Sequence, residues 1–393
     1  MESLTSSIEF QMSLLLFVAL AGYLLASRIN QSAVIGEVLV GILIGPSILG
    51  LITYTGFVAS VAHLGAVILL FVVGLEFKLK DIFNLKYGII ALAGVIVPWI
   101  GGFYLAEAFG YGFGSAVFVG TALTATSIAI TANVLREMGK LQTEGAKAII
   151  GAAVIDDILG LIALSSSEQI VAGSLSFVPI MLIALKAIAF VAIGAYLGYK
   201  YLTRFIEKLD KSPIAKKFPE FVFIFAMMIA FFYSMAAELV GLSAIVGSFL
   251  AGVALEGVVI RHGKDYREGA EYLHIIFASI FFVSLGILVD FHAMTPDVIW
   301  FLIALTLVAV VTKVAGCYIP CRLQGIGHRD SMIIGWGMSP RGEVAMIVAL
   351  IGLNAGLIGQ GIYVSLVLMS LITTIITPVV LRNWFYRNAA EGN

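Results

Sequence analysis

Long apolar runs alternate with short polar connections along the whole chain. A helix needs about 20 mostly apolar residues to cross a bilayer, and turn signals divide this sequence into thirteen such runs. Their approximate limits are 9–27, 33–51, 57–77, 86–109, 113–135, 145–165, 175–200, 219–237, 240–259, 271–290, 297–321, 329–353 and 361–381. The pattern therefore predicts an all-α polytopic membrane protein with 13 transmembrane helices.

The composition agrees with a membrane protein. Charged residues make up 12% of the 393 residues and hydrophobic residues make up 61%, and the mean hydropathy is +1.06. Soluble domains carry about 25% charged residues, so these values exclude an ordinary soluble protein. No Lys or Arg precedes the first apolar run, which disfavours a cleavable signal peptide and favours a membrane span.

The basic residues are distributed unevenly between the two predicted sides of the membrane. Connections on one side contain 20 of the 23 Lys and Arg residues, and the opposite side has none. The positive-inside rule therefore predicts a plasma (inner) membrane protein with its N-terminus outside and its C-terminus in the cytoplasm. The net charge of −1 gives no indication of nucleic acid binding. The other three basic residues, Lys186, Lys313 and Arg341, lie inside runs.

Two runs contain residues that interrupt a helix. The fifth run has hydroxyl residues concentrated at mid-depth, and the twelfth has Pro340 between glycines. The two lie seven runs apart, and this odd offset gives them opposite orientations in the membrane. Interrupted helices at corresponding positions of two inverted halves indicate a transporter binding site. We therefore expect two inverted repeats, runs 1–6 and 8–13, with two crossed, interrupted helices and with run 7 as a linker.

Two adjacent acids, Asp156 and Asp157, lie near the centre of the sixth run. Each ionised side chain costs roughly 2.5–3.5 kcal/mol there on insertion scales. Adjacent helical positions point about 100° apart, so one acid can face a water-filled cavity and the other a neighbouring helix. Lys313, midway along the eleventh run, needs an anionic partner. We pair it with Asp156 and leave Asp157 free, although the spacing alone also allows the reverse order.

The free acid predicts a mechanism of ion exchange. Removal of water from around a carboxylate favours its protonated form, whereas a nearby cation favours its ionised form. A proton and Na⁺ therefore displace each other from Asp157, and alternating access couples the two fluxes. Unwound carbonyls and the hydroxyls of Thr124, Thr126 and Ser127 can add oxygen ligands for a hard cation. We predict an ion-binding site of these three residues with Asp156 and Asp157, and no cofactor besides the transported Na⁺ or Li⁺ and H⁺.

Structural roles are predicted for the other charges inside the runs. Arg341 and Glu343 lie in the break of the twelfth run, where charges often neutralise helix dipole ends, and Glu76 ends the third run. Glu37 is a candidate partner for Arg341. The sequence offers no explanation for Lys186, deep in the linker run.

Together these segments resemble the monovalent cation–proton antiporter superfamily, and within it the NapA-type Na⁺/H⁺ antiporters. The resemblance covers essentially the whole chain and rests on residues 74–76, 124–127, 153–157, 160–161, 337–343 and Lys313. It implies a homodimer with a NapA/NhaA-like fold, surrounded by membrane lipid. It also implies that Asp157 binds Na⁺ or H⁺, that Asp156 pairs with Lys313, and that transport moves net charge.

The same resemblance implies a division of each protomer into a moving core and a dimerisation panel. Elevator-like displacement of the core would expose the site to each side in turn. The panel comprises residues 1–84 (spans 1–3) and 213–295 (spans 8–10), the core comprises residues 85–170 (spans 4–6) and 296–393 (spans 11–13), and residues 171–212 form the linker span 7. The chain ends about a dozen residues after its last run, so we expect no nucleotide-binding domain of the kind that related potassium exporters carry.

Alternative functions remain open at this point. Na⁺ or Li⁺ exchange for H⁺ is favoured over a K⁺/H⁺ antiporter of the same architecture and over a Na⁺-coupled symporter of an organic anion. A symporter would need extra polar groups beside the cation site, and the sequence offers none beyond the carboxylates. A paired Lys and Asp at mid-depth suits competitive binding better than the throughput of a channel. The sequence has no motif of an enzyme, so we predict a secondary transporter.

Overall fold

The computed structural model describes residues 7–82, 84–173, 176–218, 220–258, 260, 265–289, 291 and 294–386. Within these ranges the chain forms eighteen α-helices and two π-helical turns, Gly198–Leu202 and Leu381–Phe385. The α-helices are α1 Ile8–Arg28, α2 Ala33–Ile44, α3 Gly56–Gly74, α4 Leu79–Ile82, α5 Leu85–Ala108, α6 Phe113–Thr124, α7 Ile128–Glu137, α8 Glu144–Val171, α9 Phe177–Leu197, α10 Thr203–Asp210, α11 Pro213–Lys217, α12 Glu220–Leu239, α13 Ala244–Leu255, α14 Tyr266–Ile287, α15 Pro296–Leu323, α16 His328–Gly337, α17 Glu343–Asn354 and α18 Gln360–Val380.

The prediction of thirteen transmembrane helices is wrong. Over the described residues, ten helical stretches are long and apolar enough to cross a membrane. Three further apolar helices, α2, α13 and α17, have 12 residues each. At 1.5 Å per residue such a helix measures about 18 Å, whereas the hydrocarbon core of a bilayer is about 30 Å thick.

The error has a local cause in the sequence. Hydropathy continues through turns that end a helix, so it overestimates helix length. The second apolar run extends to residue 51 in the sequence, but α2 ends at Ile44, followed by Gly45 and Pro46. Similarly, the twelfth run is divided into α16 and α17 by five non-helical residues, 338–342.

The helices pack in two groups. The long helices α5 and α15 contact each other, and α6, α8, α16, α17 and α18 pack around them. Separately, α3 packs against α13 and α14, with α2 against α1 and α14, and α12 against α13. Helix α9 follows α8 in the chain and contacts both α8 and α13, so it links the two groups.

The close packing of α5 and α15 positions Lys313. A Cβ atom on Gly94 of α5 would lie 2.9 Å from Sγ of Cys317 and 3.8 Å from Nζ of Lys313. The absence of a side chain at Gly94 therefore lets α15 approach α5 at this depth. As a result, the Lys313 side chain, which is 0% exposed, reaches the interior of the first group of helices.

Candidate functional site

Two helix breaks face each other in the first group of helices. Residues 125–127 separate α6 from α7, and residues 338–342 separate α16 from α17. The backbone N–H of Ser127 donates a hydrogen bond to the carbonyl of Pro340 at 2.9 Å. The Thr126 hydroxyl donates to the carbonyl of Met338 at 3.2 Å, and Thr131 donates to Gly337 at 2.6 Å. Backbone groups that helix geometry leaves unpaired thus have partners in the opposite break.

Asp156 and Lys313 form a buried ion pair beside these breaks. Nζ of Lys313 donates to Oδ1 of Asp156 at 2.9 Å and to the carbonyl of Thr124 at 2.7 Å. Asp156 is only 2% exposed. The Thr124 carbonyl is at the C-terminal end of α6, where the helix dipole is partially negative. The lysine therefore neutralises both a carboxylate and a helix end.

Asp157 faces a different direction from its neighbour. Its Oδ2 accepts a hydrogen bond from the backbone N–H of Ser243 at 3.1 Å. Ser243 caps the N-terminus of α13, in the second group of helices. Asp157 is partly exposed, and no ion pair to it is formed by the residues that the structure describes. Its carboxylate is thus bound by a neutral donor at the boundary of the two groups.

Asp157 lines a cavity of 260 Å³, through which molecules the size of water can reach its side chain. Glu343 and Glu238 also line this cavity, together with His63 in the first half of α3. An adjoining cavity of 650 Å³ shares His63 and Glu343 and includes Tyr54 in the loop before α3. The acidic walls and the exposed carboxylate together form a space that attracts cations.

Arg341 and Glu343 of the second break do not face the same way. The Arg341 guanidinium, which is completely buried, donates to the carbonyls of Met338, Ser339 and Ala309 at 3.3, 2.7 and 3.4 Å. These bonds neutralise the carbonyl end of α16. Glu343 is the first residue of α17 and lines the cavity of Asp157 instead.

A polar cluster joins α7 to the second group of helices, at the other end of α3. Arg136 contacts Glu76 at 3.2 Å and also contacts Glu271 and His274 of α14. Glu137 accepts hydrogen bonds from the Ser32 hydroxyl at 2.7 Å and from the Ala33 N–H at 3.2 Å. We call Arg136, Glu137 and these partners the α7 cluster.

The α7 cluster and the Asp157 cavity are separated along α3. His63 and Glu76 are 13 residues apart on or beside α3, which corresponds to about 20 Å along a helix. His63 lines the Asp157 cavity, whereas Glu76 binds Arg136 of the cluster. A separate cavity of 490 Å³, lined by Glu37, Glu76 and Arg136, lies on the cluster side, and Asp157 does not line it.

The predicted site residues thus fall into three places. Asp156, Lys313 and Thr124 meet in the buried ion pair. Thr126 and Ser127 contact the second break, and Asp157 and Glu343 line the cavity. The suggested contact of Glu37 with Arg341 is not formed, because Glu37 lies on the cluster side and the Arg341 guanidinium binds backbone carbonyls.

Sequence reasoning missed Ser243 and most of the α7 cluster. Ser243 binds Asp157 through its backbone N–H, a group that every residue except proline has, so its identity does not reveal this contact. The sequence does indicate its place in the fold, because a serine before an apolar run is typical of a helix N-cap. Arg136 and Glu271 lie in the last and second turns of their helices, where a charge is usually solvated, and His274 lies within one turn of Glu271. Lys186 lies on the exposed face of α9 and lines a different cavity from Asp157.

Comparison with known proteins identifies the family. A sequence model of the family described as "Sodium/hydrogen exchanger, transmembrane" matches residues 14–385. The chain belongs to this family. The prediction of the cation–proton antiporter superfamily is therefore confirmed, while the NapA-type branch stays a prediction. Sodium/hydrogen exchangers are secondary transporters and not enzymes, as the sequence predicts, and the chain is an integral membrane protein.

Several curated relatives match this exchanger over nearly their full length. The Na⁺/H⁺-K⁺ antiporter GerN of Bacillus cereus is 34% identical over 378 residues, which cover 96% of each chain. A Na⁺/H⁺ antiporter of Enterococcus hirae is 33% identical over 372 residues, covering 94% of this chain and 96% of the relative. The family resemblance thus extends across both groups of helices.

A solved structure defines the fold of the exchanger. The sodium proton antiporter MjNhaP1 from Methanocaldococcus jannaschii superposes with a TM-score of 0.74 over 98% of each chain, at 14% sequence identity. Together with the ten membrane-length helices of the described residues, this similarity overturns the predicted 13-helix NapA/NhaA-like fold. The architecture is an all-α polytopic membrane fold similar to that of MjNhaP1.

Proposed function

We propose that this protein exchanges Na⁺ or Li⁺ for H⁺ across the membrane, with both ions competing for Asp157. The observation that carries the proposal is the difference between the two adjacent acids. Lys313 neutralises Asp156, whereas Asp157 faces a cavity and accepts a hydrogen bond from a neutral N–H. A carboxylate in that position can bind a proton or a hard cation. Membership in the exchanger family and the names of the relatives support the same activity.

Oxygen ligands near the breaks are proposed to complete the cation site. Thr124, Thr126 and Ser127 lie at the break after α6, where the chain leaves the helix and exposes carbonyls. The hydroxyls of Thr124 and Thr126 each donate to a carbonyl, which leaves their oxygen lone pairs as acceptors. A small movement of α6 against α8 would place these oxygens around an ion held by Asp157.

The cavity at Asp157 and the closed contacts of the α7 cluster differ, and this difference supports alternating access. Asp157 lines a cavity next to His63, in the first half of α3. The α7 cluster holds the helices together near Glu76, just after the end of α3. We propose that the core, residues 85–170 and 296–393, moves relative to the panel, residues 1–84 and 213–295, with residues 171–212 as the linker. The packing of the helices in two groups supports this elevator-like division.

Net charge movement is part of the proposal. When a cation binds next to Asp156, the Lys313 ammonium can lose its proton in addition to the proton that leaves Asp157, so that two protons are exchanged for one cation. The adjacency of Asp156 and Asp157 and the contact of Asp156 with Lys313 support such coupling. Transport would then carry charge and respond to membrane potential.

Exchange of K⁺ for H⁺ is the second candidate. GerN, 34% identical to this chain, is named a Na⁺/H⁺-K⁺ antiporter. The acidic cavity next to Asp157 attracts any monovalent cation, so selectivity depends on the ligands that close around the ion. We also propose that the protein lies in the plasma membrane with its C-terminus in the cytoplasm, which the basic connections in the sequence support. A homodimer is proposed from the resemblance to the cation–proton antiporters.

Proteoliposomes that contain the purified protein test this function. A pH-sensitive dye inside the vesicles reports proton movement when Na⁺, Li⁺ or K⁺ is added outside. We expect protein-dependent alkalinisation of the vesicle interior with Na⁺ and Li⁺, because cation entry is coupled to proton exit, and a weaker response or none with K⁺. A response to K⁺ alone would replace the first candidate by the second, and the absence of a response to all three ions would refute both.

A further inference from the structure

We propose that a groove beside α9 binds one anionic glycerophospholipid from the adjoining leaflet. The groove joins two cavities, of 600 and 500 Å³, that share Leu197 and Tyr233 in their walls. It runs between α9, continued by the turn Gly198–Leu202 and α10, on one side and α12 on the other. Ion exchange at Asp157 does not require this groove, so the proposal stands apart from the proposed function.

One end of the groove is positively charged. Arg204 and Lys208 lie one helical turn apart on α10 and both line this end, and no acid is among the described residues that line it. The exposed rings of Tyr201 and Phe205 lie beside them. Aromatic rings together with Lys and Arg are typical of the depth at which lipid headgroups lie. A phosphodiester between Arg204 and Lys208 would therefore contact two cations at its own level in the membrane.

The remainder of the groove is apolar. Phe190 and Ile193 of α9 and Phe232 and Leu239 of α12 line this part. The Tyr233 hydroxyl donates a hydrogen bond to the carbonyl of Gly194 at 3.0 Å, which fixes the two walls to each other. An apolar channel with fixed walls suits a hydrocarbon chain, because it offers almost no polar group to a peptide or a sugar.

The length of the groove matches one leaflet. From Lys186 to Leu197 the α9 axis rises about 17 Å, which is close to half of the ~30 Å hydrocarbon core. From Leu197 to Arg204 it continues for about 10 Å, comparable to the headgroup region. A lipid with its phosphate at Arg204 would thus end its acyl chain near Lys186. The exposed Lys186 can cover apolar surface there with its methylene groups.

Native mass spectrometry of the full chain in mild detergent tests the proposal. The protein is mixed with phosphatidylglycerol or with phosphatidylcholine that has identical acyl chains. We expect one phosphatidylglycerol per protomer to be retained and phosphatidylcholine to be lost. The double variant Arg204→Gln/Lys208→Gln should bind phosphatidylglycerol about 30-fold more weakly, from the contribution of two basic residues near an anionic surface.

A matched control separates this site from general electrostatics. Lys216→Gln/Lys217→Gln removes two charges from the same basic segment, but neither residue lines the groove, so phosphatidylglycerol affinity should change less than about twofold. Ala236→Phe fills the apolar part while it keeps both cations, and it should weaken binding at least about tenfold. Water-soluble glycerophosphoglycerol, which has the headgroup but no chains, should not be retained.

Three results would overturn the proposal. They are equal retention of the two lipids, a loss in the control variant as large as in the Arg204/Lys208 variant, and undiminished binding by Ala236→Phe. Na⁺-driven proton movement in phosphatidylcholine vesicles verifies that each variant is folded. If the unaltered protein shows no exchange, the proposed function is refuted, but the lipid measurement remains valid.

Discussion

Asp156 and Asp157 are adjacent in the chain, but their carboxylates bind partners on different faces of α8. Oδ1 of Asp156 accepts a hydrogen bond from the Lys313 ammonium at 2.9 Å, and Oδ2 of Asp157 accepts one from the Ser243 backbone N–H at 3.1 Å. The rotation of about 100° per helical residue separates them. One acid is therefore neutralised inside the protein, and the other remains available to ions that enter the cavity.

Asp157→Asn should abolish exchange. An amide keeps the size of the side chain and can still accept the Ser243 hydrogen bond, but it neither carries charge nor binds a proton at physiological pH. Dye-monitored proton movement should fall to the level of empty vesicles. Glu238→Gln is the matched control, since it removes a carboxylate from the same cavity and should change the rate by less than about fivefold. Undiminished Na⁺-driven proton movement in Asp157→Asn would show that the ions bind elsewhere.

Competition at one carboxylate gives a defined pH dependence. When Asp157 is mostly protonated, each unit of decrease in pH should raise the apparent KM for Na⁺ at least about tenfold, because its proton must leave before a cation binds. The maximal rate at saturating Na⁺ should stay nearly constant over the same range. Initial rates measured at several Na⁺ concentrations and pH values check this. A maximal rate that falls while KM stays constant would indicate separate sites for proton and cation.

Lys313→Gln should destabilise the protein strongly. The variant leaves the buried Asp156 carboxylate without a cationic partner, and removal of one member of a buried ion pair typically costs 3–5 kcal/mol, as an order of magnitude. The double variant Lys313→Met/Asp156→Leu should recover most of this loss, because it leaves no buried charge. Thermal unfolding of the detergent-solubilised variants gives the comparison. Equal stability of the single and double variants would mean that the pair is not coupled.

A covalent link across the α7 cluster should stop transport. Glu137 contacts Ser32; Glu137 belongs to the proposed core and Ser32 to the proposed panel, which are proposed to move relative to each other. After Ser32→Cys and Glu137→Cys substitution, a short bifunctional thiol reagent should reduce exchange to background, and a reductant should restore it. The natural Cys317 and Cys321 are buried, which limits their reaction.

The control for this experiment is a link inside one group. The Ser115 hydroxyl donates to the carbonyl of Leu357 at 2.7 Å, and both residues lie in the proposed core. The pair Ser115→Cys and Leu357→Cys, treated with the same reagent, should keep its exchange rate. Transport that continues in the first linked variant would rule out relative movement at Ser32 and Glu137.

The class of protein and its family could be predicted from the sequence because they depend on local signals. The apolar runs are long, and the residues around Asp156, Asp157, Lys313 and Pro340 form a recognisable combination. Helix number could not be predicted in the same way. Residues beyond Ile44 remain apolar although the helix has ended, and hydropathy measures transfer to lipid rather than helix length.

Apart from the pair of Asp156 and Lys313, contacts between distant residues also lay beyond the sequence. Ser243 is 86 residues from Asp157, and Glu271 is 135 residues from Arg136. Their pairing depends on how the helices pack. The periodicity of the sequence excludes only a small share of the possible packing arrangements. Arg341 illustrates the same limit: its partners are backbone carbonyls, which every residue possesses.

The hydrogen bond from Ser127 to Pro340 joins parts of the chain more than two hundred residues apart. If residues 338–342 were replaced by a continuous helix, the amide of Ser127 would lose its acceptor within the membrane. The reverse replacement would leave carbonyls of the other segment unmatched. Chimaeras built from two relatives should therefore be viable only when both unwound segments come from the same parent, however similar the surrounding helices are.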